Sequence, residues 1–263
     1  MLDPNHALAA AARTPPPAAA AAQRVLVIGG AGALGSAVLE QLLGTHRFER
    51  VGVVVVRSVN PALRGLLTVQ GNDAALQAFA ADTAVVVFDR ERHANGRDDA
   101  FERPQPEGLA PLATRLYGHG VRRLIVAVPH APSMLPLALQ RGLASLDEGA
   151  VAALGFEQLV FLRLAQAGGP GAGELSPPQR LARWMLGQLH WMVPQSQQPV
   201  RVATVAKVVA ALAYQLPGAK VGTRVLPPDL LWHAAQLKDA VPLVERWLAG
   251  QGLPDLQAHR QRW

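Results

Sequence analysis

Short apolar runs alternate with amphipathic segments along most of the chain. Runs of four to six residues rich in valine, leucine and isoleucine are typical of strands buried on both faces of a parallel sheet. The pattern predicts six such strands, at residues 24–28, 51–56, 66–69, 84–88, 123–128 and 158–162, and a last strand at 221–226. Because helical segments separate most of the first six strands, the order predicts right-handed crossovers and a doubly wound, parallel α/β sheet.

Apolar positions at helical spacing predict the intervening helices. They fall at residues 35–43, 74–80, 109–117, 135–154, 177–189 and 204–216, and the segment after residue 226 is expected to be helical as well. Asp73 and Thr204 are the expected N-caps of two of these helices, and Gly44 is expected to end the first one. Residues 89–108 are charged and contain Pro104 and Pro106, which predicts a long loop.

The first 23 residues are rich in alanine and proline, and Pro15, Pro16 and Pro17 stop any helix there. We expect a disordered tail over residues 1–23. The tail lacks a basic opening followed by a leucine-rich stretch, so it does not resemble a signal peptide. Residues 24–263 are expected to form a single domain with a small C-terminal lobe over about 165–263. No apolar run approaches the ~20 residues of a membrane span.

The chain has no cysteine, which excludes disulfides, thiolate metal sites and cysteine nucleophiles. This composition is consistent with the reducing cytoplasm, which is the expected location. The net charge is +6, but the basic residues are scattered and few aromatic residues lie between them. The sequence therefore does not favour nucleic acid as a partner. The dispersed histidines show no metal-ligand spacing, so no metal is expected.

A glycine-rich segment follows the first predicted strand and opens the first predicted helix. It consists of Gly29, Gly30, Ala31, Gly32, Ala33, Leu34 and Gly35. The spacing satisfies both G-x-G-x-x-G and G-x-x-G-x-x-G, which let backbone N–H groups approach a pyrophosphate and let the helix pack close to the strand. The alternative is a tight glycine turn that holds no ligand. The strand before it and the helix after it favour a Rossmann-type dinucleotide site.

The end of the second strand distinguishes the two nicotinamide dinucleotides. NAD sites place an acidic residue there to bind the ribose hydroxyls, but this strand is followed by Arg57 and Ser58. A guanidinium and a hydroxyl suit the 2′-phosphate of NADP. The sequence therefore favours NADP(H) over NAD(H), although Arg57 at a strand end can equally point into water.

With these residues assigned, residues 24–226 resemble the atypical and extended short-chain dehydrogenase/reductases. Within that superfamily they are most similar to small NAD(P)H-binding proteins related to the Tat-interactive oxidoreductases. The resemblance rests on residues 25–35 and on Arg57, with weaker support from residues 156–164 and 200–216. It implies hydride transfer to or from a carbonyl, in which a tyrosine moves the proton, a lysine four residues later lowers the pKa of that tyrosine, and a serine polarises the substrate.

The chain departs from that catalytic pattern. Leu137 and Arg141 stand where the resemblance expects the tyrosine and the lysine, although Arg141 can still contact the ribose. Residues 126–130 contain no serine, and Ser133 comes later than expected. Arg163 precedes Leu164 instead of the usual proline. The resemblance therefore implies oxidoreductase activity that is weak, altered or absent.

Other residues are weaker site candidates. His130 follows the fifth strand at the edge where such sheets bind ligands and can act as an acid or a base, or simply be a loop histidine. The charged residues 89–93 can bind substrate or solvate a loop, and the loop is the favoured interpretation. Asn72 and Asp73 can contact adenine. The tryptophans Trp184, Trp191 and Trp232 are expected in the core or at an interface.

Three functions stay open at this point. The first is an NADP(H)-binding, reductase-like protein with little or altered activity. The second is a nonenzymatic regulator or redox sensor that binds NADP(H) and presents a surface to an unknown partner. The third is a structural or assembly protein that keeps the fold without needing a nucleotide. The substrate, the protein partner and the oligomeric state do not follow from the sequence.

Overall fold

The computed structural model describes residues 23–59, 63–89, 98–130, 146–165 and 200–251. Seven strands are described: β1 (Arg24–Ile28), β2 (Arg50–Val55), β3 (Leu66–Gln70), β4 (Thr83–Val87), β5 (Arg123–His130), β6 (Gln158–Ala165) and β7 (Gly222–Leu226). Seven α-helices accompany them: α1 (Gly32–Gly44), α2 (Asp73–Phe79), α3 (Leu109–Gly118), α4 (Leu146–Ala152), α5 (Val202–Gln215), α6 (Pro228–Gln236) and α7 (Val241–Leu248).

All seven strands form one parallel sheet in the order β3-β2-β1-β4-β5-β6-β7. The chain first moves outward from β1 to β3 and then returns to the other side of β1, where β4 pairs. The carboxyl ends of β1 and β4 therefore flank the topological switch point, where open α/β sheets bind their ligands. The predicted doubly wound, Rossmann-type sheet is confirmed.

Two apolar layers cover the sheet because successive side chains of a buried strand point to opposite faces. One face of β1, with Val25 and Val27, packs against α1, α5, α6 and α7. The opposite face, with Leu26 and Ile28, packs against α2, α3 and α4. Both α5 and β7 belong to this layered core, and the extent of a separate C-terminal lobe stays a prediction.

The structure corrects two predicted caps. Asn72, not Asp73, is the N-cap of α2, because its side-chain oxygen accepts from the backbone N–H of Ala75 at 2.9 Å. Thr204 lies inside α5, whose N-cap is Arg201 and has no side-chain capping bond. Strand β5 is longer than predicted and includes His130, paired with Ala165 of β6.

Several predictions concern segments outside the described residues: most of the tail, the helix at 177–189 and most of the helix at 135–154. Within the described ranges, no helix has the length and apolarity that a membrane crossing requires. The same ranges contain no cluster of three potential metal ligands.

Candidate functional site

The turn between β1 and α1 is built around left-handed glycines. Gly29 has φ +87° and Gly32 has φ +84°, a region that residues with a side chain rarely adopt. The turn reverses the chain sharply, so that α1 begins at Gly32, four residues after β1 ends. The first N–H groups of α1 therefore open toward the carboxyl edge of the sheet, which is the arrangement that binds phosphate in dinucleotide sites.

The other two glycines of the turn are required by close packing. A Cβ added at Gly35 would lie 2.9 Å from the carbonyl carbon of Gly30 and even closer to the Gly29 carbonyl oxygen. A Cβ added at Gly30 would lie 2.5 Å from Cγ2 of Val53 on β2. Each of these glycines thus lets the start of α1 pack directly on the end of the sheet.

A cavity of about 350 Å³ lies at the switch point, between the ends of β1 and β4. Its walls come from the glycine turn, from the residues that follow β4 and from a later segment of the chain. The lining residues are Gly29, Ala31, Gly32, Val87, Phe88, Asp89, Arg103, Pro104, Gln105 and Pro106. The volume falls at the lower end of the range for small-molecule sites.

Asp89 caps α1 from across this cavity. The backbone N–H of Leu34 donates to Oδ2 of Asp89 at 2.5 Å. The helix needs such an acceptor, because its N-cap is Ala31 and its first turn contains no acidic residue. The Asp89 side chain is exposed, as the predicted loop interpretation expects, and its carboxylate also lies at the anion-binding end of α1.

Residues 99–106, here called the cover segment, run back over the edge of the sheet toward β2. The backbone N–H of Val56 donates to the carbonyl of Ala100 at 2.8 Å, and the N–H of Glu102 donates to the carbonyl of Val54 at 3.1 Å. Val55 and Phe101 form an antiparallel bridge. This part of the predicted long loop is therefore anchored by main-chain hydrogen bonds to the end of β2.

Side chains of the cover segment lie close to three glycines at the carboxyl edge of the sheet. Cδ1 of Phe101 is 3.6 Å from the position of a Cβ on Gly30, and Cδ of Pro104 is 3.3 Å from that on Gly29. Oε2 of Glu102 approaches the equivalent position on Gly71, just after β3, to 2.7 Å. The segment thus lies over the ends of three neighbouring strands. The glycines at these strand ends leave the space that the cover segment occupies.

Glu102 is a half-buried residue of the cover segment, and burial raises the pKa of its carboxyl above the ordinary value of 4.5. The positive charge of Arg115 opposes this effect on the pKa but is the smaller influence. Because the pKa is raised in the folded state, the protonated form is favoured there. The stabilisation that the protonated Glu102 carboxyl contributes is complete below pH 4.5. It is lost as the pH rises through the raised pKa.

Glu102→Gln is therefore expected to raise the free energy of unfolding at pH 7 by a few tenths of a kcal/mol, because solvent still screens a half-exposed carboxylate. The substitution should also flatten the pH dependence of stability just above pH 4.5. Urea unfolding between pH 4 and pH 8 measures both effects. Glu107→Gln, at an exposed position beside the cover segment, is the control. An equal response of the two variants would contradict the expectation.

Arg57 and Ser58 follow β2, and both are exposed. The backbone N–H of Arg57 approaches the carbonyl of Ala100 at 3.4 Å. Among the described residues, none pairs with the Arg57 guanidinium. It lies beside the cover segment and does not line the cavity. The predicted roles of Arg57 and Ser58 toward a 2′-phosphate stay predictions.

Most of the predicted catalytic positions lie outside the described part of the chain. Leu137, Arg141 and Ser133 lie outside the described residues, and so do Trp184 and Trp191. The backbone of His130 is the last position of β5, at the carboxyl edge of the sheet. Its role as an acid or a base stays a prediction.

Both tyrosines of the chain lie away from the cavity. The ring of Tyr117 packs edge-on against Phe156 at 5.2 Å, and the Arg122 guanidinium covers its face at 4.6 Å. Tyr214 stacks under Arg47 at 4.4 Å on the far end of α5. These rings have structural contacts, and neither lines the site at the switch point.

Arg163 on β6 forms a buried ion pair with Glu148 on α4. The guanidinium nitrogen Nη2 is 2.9 Å from Oε2 of Glu148, and the two side chains are 3% and 8% exposed. Arg163 pairs in register with Val128 of β5, toward the carboxyl end of both strands. The pair joins α4 to the sheet near the edge that carries the site.

The sequence prediction placed Asp89 at the ligand edge but favoured a loop role for it, and it missed the cover segment as part of the site. One signal for Asp89 was present, since α1 starts from Ala31 and has no acceptor of its own. The first polar residue after β4 is at the right edge of the sheet to supply one. The sequence carried no such signal for the position of Phe101 and Pro104, because that position depends on the pairing of Phe101 with Val55, which lies 46 residues earlier in the chain.

No family model matches the sequence, and no curated protein matches it. Among solved structures, a Rossmann-fold NAD(P)-binding family protein from Shigella flexneri matches at 16% identity and TM-score 0.36, covering 64% of this chain and 87% of that one. UDP-glucose 4-epimerase from Brucella ovis, in complex with NAD, matches at 17% identity and TM-score 0.47 over 78% of each chain. A mutant short-chain dehydrogenase/reductase from Serratia marcescens matches at 14% identity and TM-score 0.43, covering 79% of this chain and 97% of that one.

At these identities the matches concern the fold alone. The strand order of the sheet, the crossover at β1 and β4 and the glycine turn between β1 and α1 are observed in the chain itself. Together they are the features that define a dinucleotide-type α/β fold. The chain accordingly has a Rossmann-type fold.

Proposed function

We propose that this chain binds a nicotinamide dinucleotide, NADP(H) in preference to NAD(H), at the carboxyl edge of its sheet. The observation that carries the proposal is the cavity at the switch point, walled by the left-handed turn at Gly29 and Gly32. That turn directs the first N–H groups of α1 toward the cavity, where they suit a pyrophosphate. No side chain stands on the turn at these two positions to exclude it.

The fit to the whole cofactor is incomplete in the described arrangement. The glycine turn suits the pyrophosphate, but the carboxylate of Asp89 already accepts the Leu34 N–H and the cover segment lies on the end of β2. We therefore derive no reaction step through the cofactor. The proposed function is binding, and hydride transfer by the tyrosine–lysine route is not part of it, because Leu137 and Arg141 stand where the resemblance expects the tyrosine and the lysine.

The preference for NADP(H) rests on Arg57 and Ser58 at the end of β2. A dinucleotide whose pyrophosphate lies on α1 places its adenosine ribose near the end of the second strand. An acidic residue there would repel a 2′-phosphate, whereas a guanidinium forms charge-assisted hydrogen bonds with it. Because Arg57 is exposed and no described residue pairs with its guanidinium, it is available for that contact.

Arg57→Ala is expected to weaken NADPH binding about tenfold and to leave NADH binding within about twofold, because only NADPH carries the 2′-phosphate. Isothermal titration calorimetry with both dinucleotides measures the two affinities. The matched control is Arg64→Ala, which removes another exposed arginine that precedes β3. Equal weakening of NADPH and NADH would contradict the assignment of Arg57.

The same titration of the unaltered chain tests the proposed function. We expect NADPH to bind, and more tightly than NADH. Failure of both dinucleotides to bind at millimolar concentration would contradict the function and favour a structural or assembly role for the fold. Tighter binding of NADH would contradict the cofactor preference only.

A nonenzymatic regulator or redox sensor is the second candidate. It is favoured by the placement of Tyr117 and Tyr214, both of which have structural contacts away from the cavity. A dinucleotide-binding chain with no phenol at the site retains ligand recognition without the usual proton transfer. A panel of carbonyl substrates with NADPH separates this candidate from a reductase, since only a reductase would consume NADPH. Loss of any such turnover in His130→Ala would assign the acid–base role to His130.

A further inference from the structure

On this fold, the sheet determines where a dinucleotide has to lie. The pyrophosphate lies at the N-terminus of α1, and the adenosine half extends from there across the end of β1 to the end of β2. In this chain the first location is next to Leu34, and the second lies over Gly30 and Val56. Both locations are occupied by other parts of the same chain.

At the first location, the Asp89 carboxylate occupies the position that a phosphate group of the dinucleotide would take. It accepts the Leu34 N–H at 2.5 Å, where a phosphate oxygen of a dinucleotide would accept. Two anions cannot share this donor, and two like charges at hydrogen-bond distance repel each other even at an exposed side chain such as Asp89. Phosphate binding therefore requires the carboxylate of Asp89 to leave.

At the second location, the cover segment fills the space above β1 and β2. Its main chain is bonded to Val54 and Val56, and the Phe101 side chain lies over Gly30. The adenosine half of a dinucleotide would overlap these atoms. What is left is the cavity of about 350 Å³, which Arg103 and Pro104 close on the side of the cover segment.

We propose that Asp89 and the cover segment act together as an internal lid, which closes the phosphate and adenosine positions and moves away when a dinucleotide binds. This inference rests on the proposed function and adds its regulation. Closing the site lowers the apparent affinity by the fraction of molecules that are open. Any substitution that weakens the closed arrangement should therefore tighten binding.

Asp89→Asn is the most direct variant. It removes the negative charge but keeps a side-chain oxygen that can accept the Leu34 N–H, so α1 stays capped. We expect it to bind NADPH about tenfold or more tightly than the unaltered chain, because like-charge repulsion at the phosphate position is removed. It should also bind inorganic pyrophosphate more tightly. Asp147→Asn removes the same charge from an exposed residue of α4 and should change neither affinity.

Hydrogen exchange reports the movement of the cover segment independently. The amides of Val56 and Glu102 are hydrogen-bonded across the closed edge. Saturating NADPH is expected to speed the exchange of both amides, because the lid has to lift. Exchange that stays equally slow in a saturated complex would show that the cover segment does not move, and would overturn that part of the proposal.

Titrations with NADPH and with inorganic pyrophosphate distinguish failure of the lid proposal from failure of the proposed function. If NADPH binds the unaltered chain and Asp89→Asn equally well, the role of Asp89 is overturned and the proposed function stands. If neither protein binds NADPH but Asp89→Asn gains affinity for pyrophosphate, the function is overturned and closure by Asp89 stands. If neither probe binds either protein, both are overturned.

Discussion

Gly35→Ala is expected to lower the free energy of unfolding by about 3 kcal/mol or more, because the added methyl group overlaps backbone atoms that cannot rotate away. The new Cβ would lie 2.9 Å from the Gly30 carbonyl carbon and closer still to the Gly29 carbonyl oxygen. To accept it, α1 must move off the end of β1 and abandon the packing of Val38 and Leu39 on the sheet. Denaturant unfolding followed by circular dichroism measures the loss.

The matched control is Gly44→Ala at the other end of α1, where an added Cβ meets nothing within 4 Å. That change should be neutral or stabilise the helix by up to about 1 kcal/mol, since alanine has the higher helix propensity. Similar stabilities for the two variants would show that the close contact between α1 and the turn is absent in solution.

Glu148→Ala has the second largest expected effect, a loss of about 3–5 kcal/mol, because it leaves the Arg163 guanidinium buried without its carboxylate. Arg163 lies toward the carboxyl end of β6, the strand next to the edge strand β7, and its side chain is only 3% exposed. The same unfolding measurement applies. Asp147→Ala, one residue earlier on an exposed position of α4, should cost less than about 1 kcal/mol.

A double variant checks the reason for this loss. Replacing the pair by apolar residues, Glu148→Leu with Arg163→Met, should be less destabilising than Glu148→Ala alone, because both charges of the buried ion pair are removed together. If the double variant is the less stable of the two, the cost of Glu148→Ala comes from lost packing and not from an uncompensated charge.

The sequence was sufficient to predict the sheet and the glycine turn, because both depend on local patterns. Valine-rich runs bounded by charged residues or glycine identify β1, β2 and β4 almost residue by residue. The turn at Gly29 and Gly32 follows from the spacing of glycines after a strand, and its left-handed φ values agree with that interpretation. These features need no knowledge of distant parts of the chain.

The closed state of the site was not predictable in the same way. Asp89 and Leu34 are 55 residues apart in the sequence, and Ala100 and Val56 are 44 residues apart. Both contacts therefore depend on how the sheet brings distant segments together. A charged run such as residues 89–93 is usually solvated, which made the loop interpretation reasonable. The missing cap of α1 was the one local sign that an internal acceptor was needed.

The caps of α2 and α5 show the limits of single-residue signals. Asn72 and Asp73 are adjacent and both can cap a helix, and only the backbone conformation of Asn72 decides between them. Asp73 instead binds Arg115 on α3 and His119 just after that helix, and these contacts lower the pKa of its carboxyl. A side chain with a distant partner is unavailable for the local role that its position suggests.

The central claim is that a dinucleotide binds on the glycine turn of this chain. Backbone amide NMR of the labelled chain during titration with NADPH tests it at single-residue resolution. We predict that the amide resonances of Gly29, Gly32 and Leu34 shift with a common, saturable affinity. Shifts confined to other surfaces, such as the groove lined by Arg47, Lys207 and Lys238, or no shifts at millimolar NADPH, would contradict the claim.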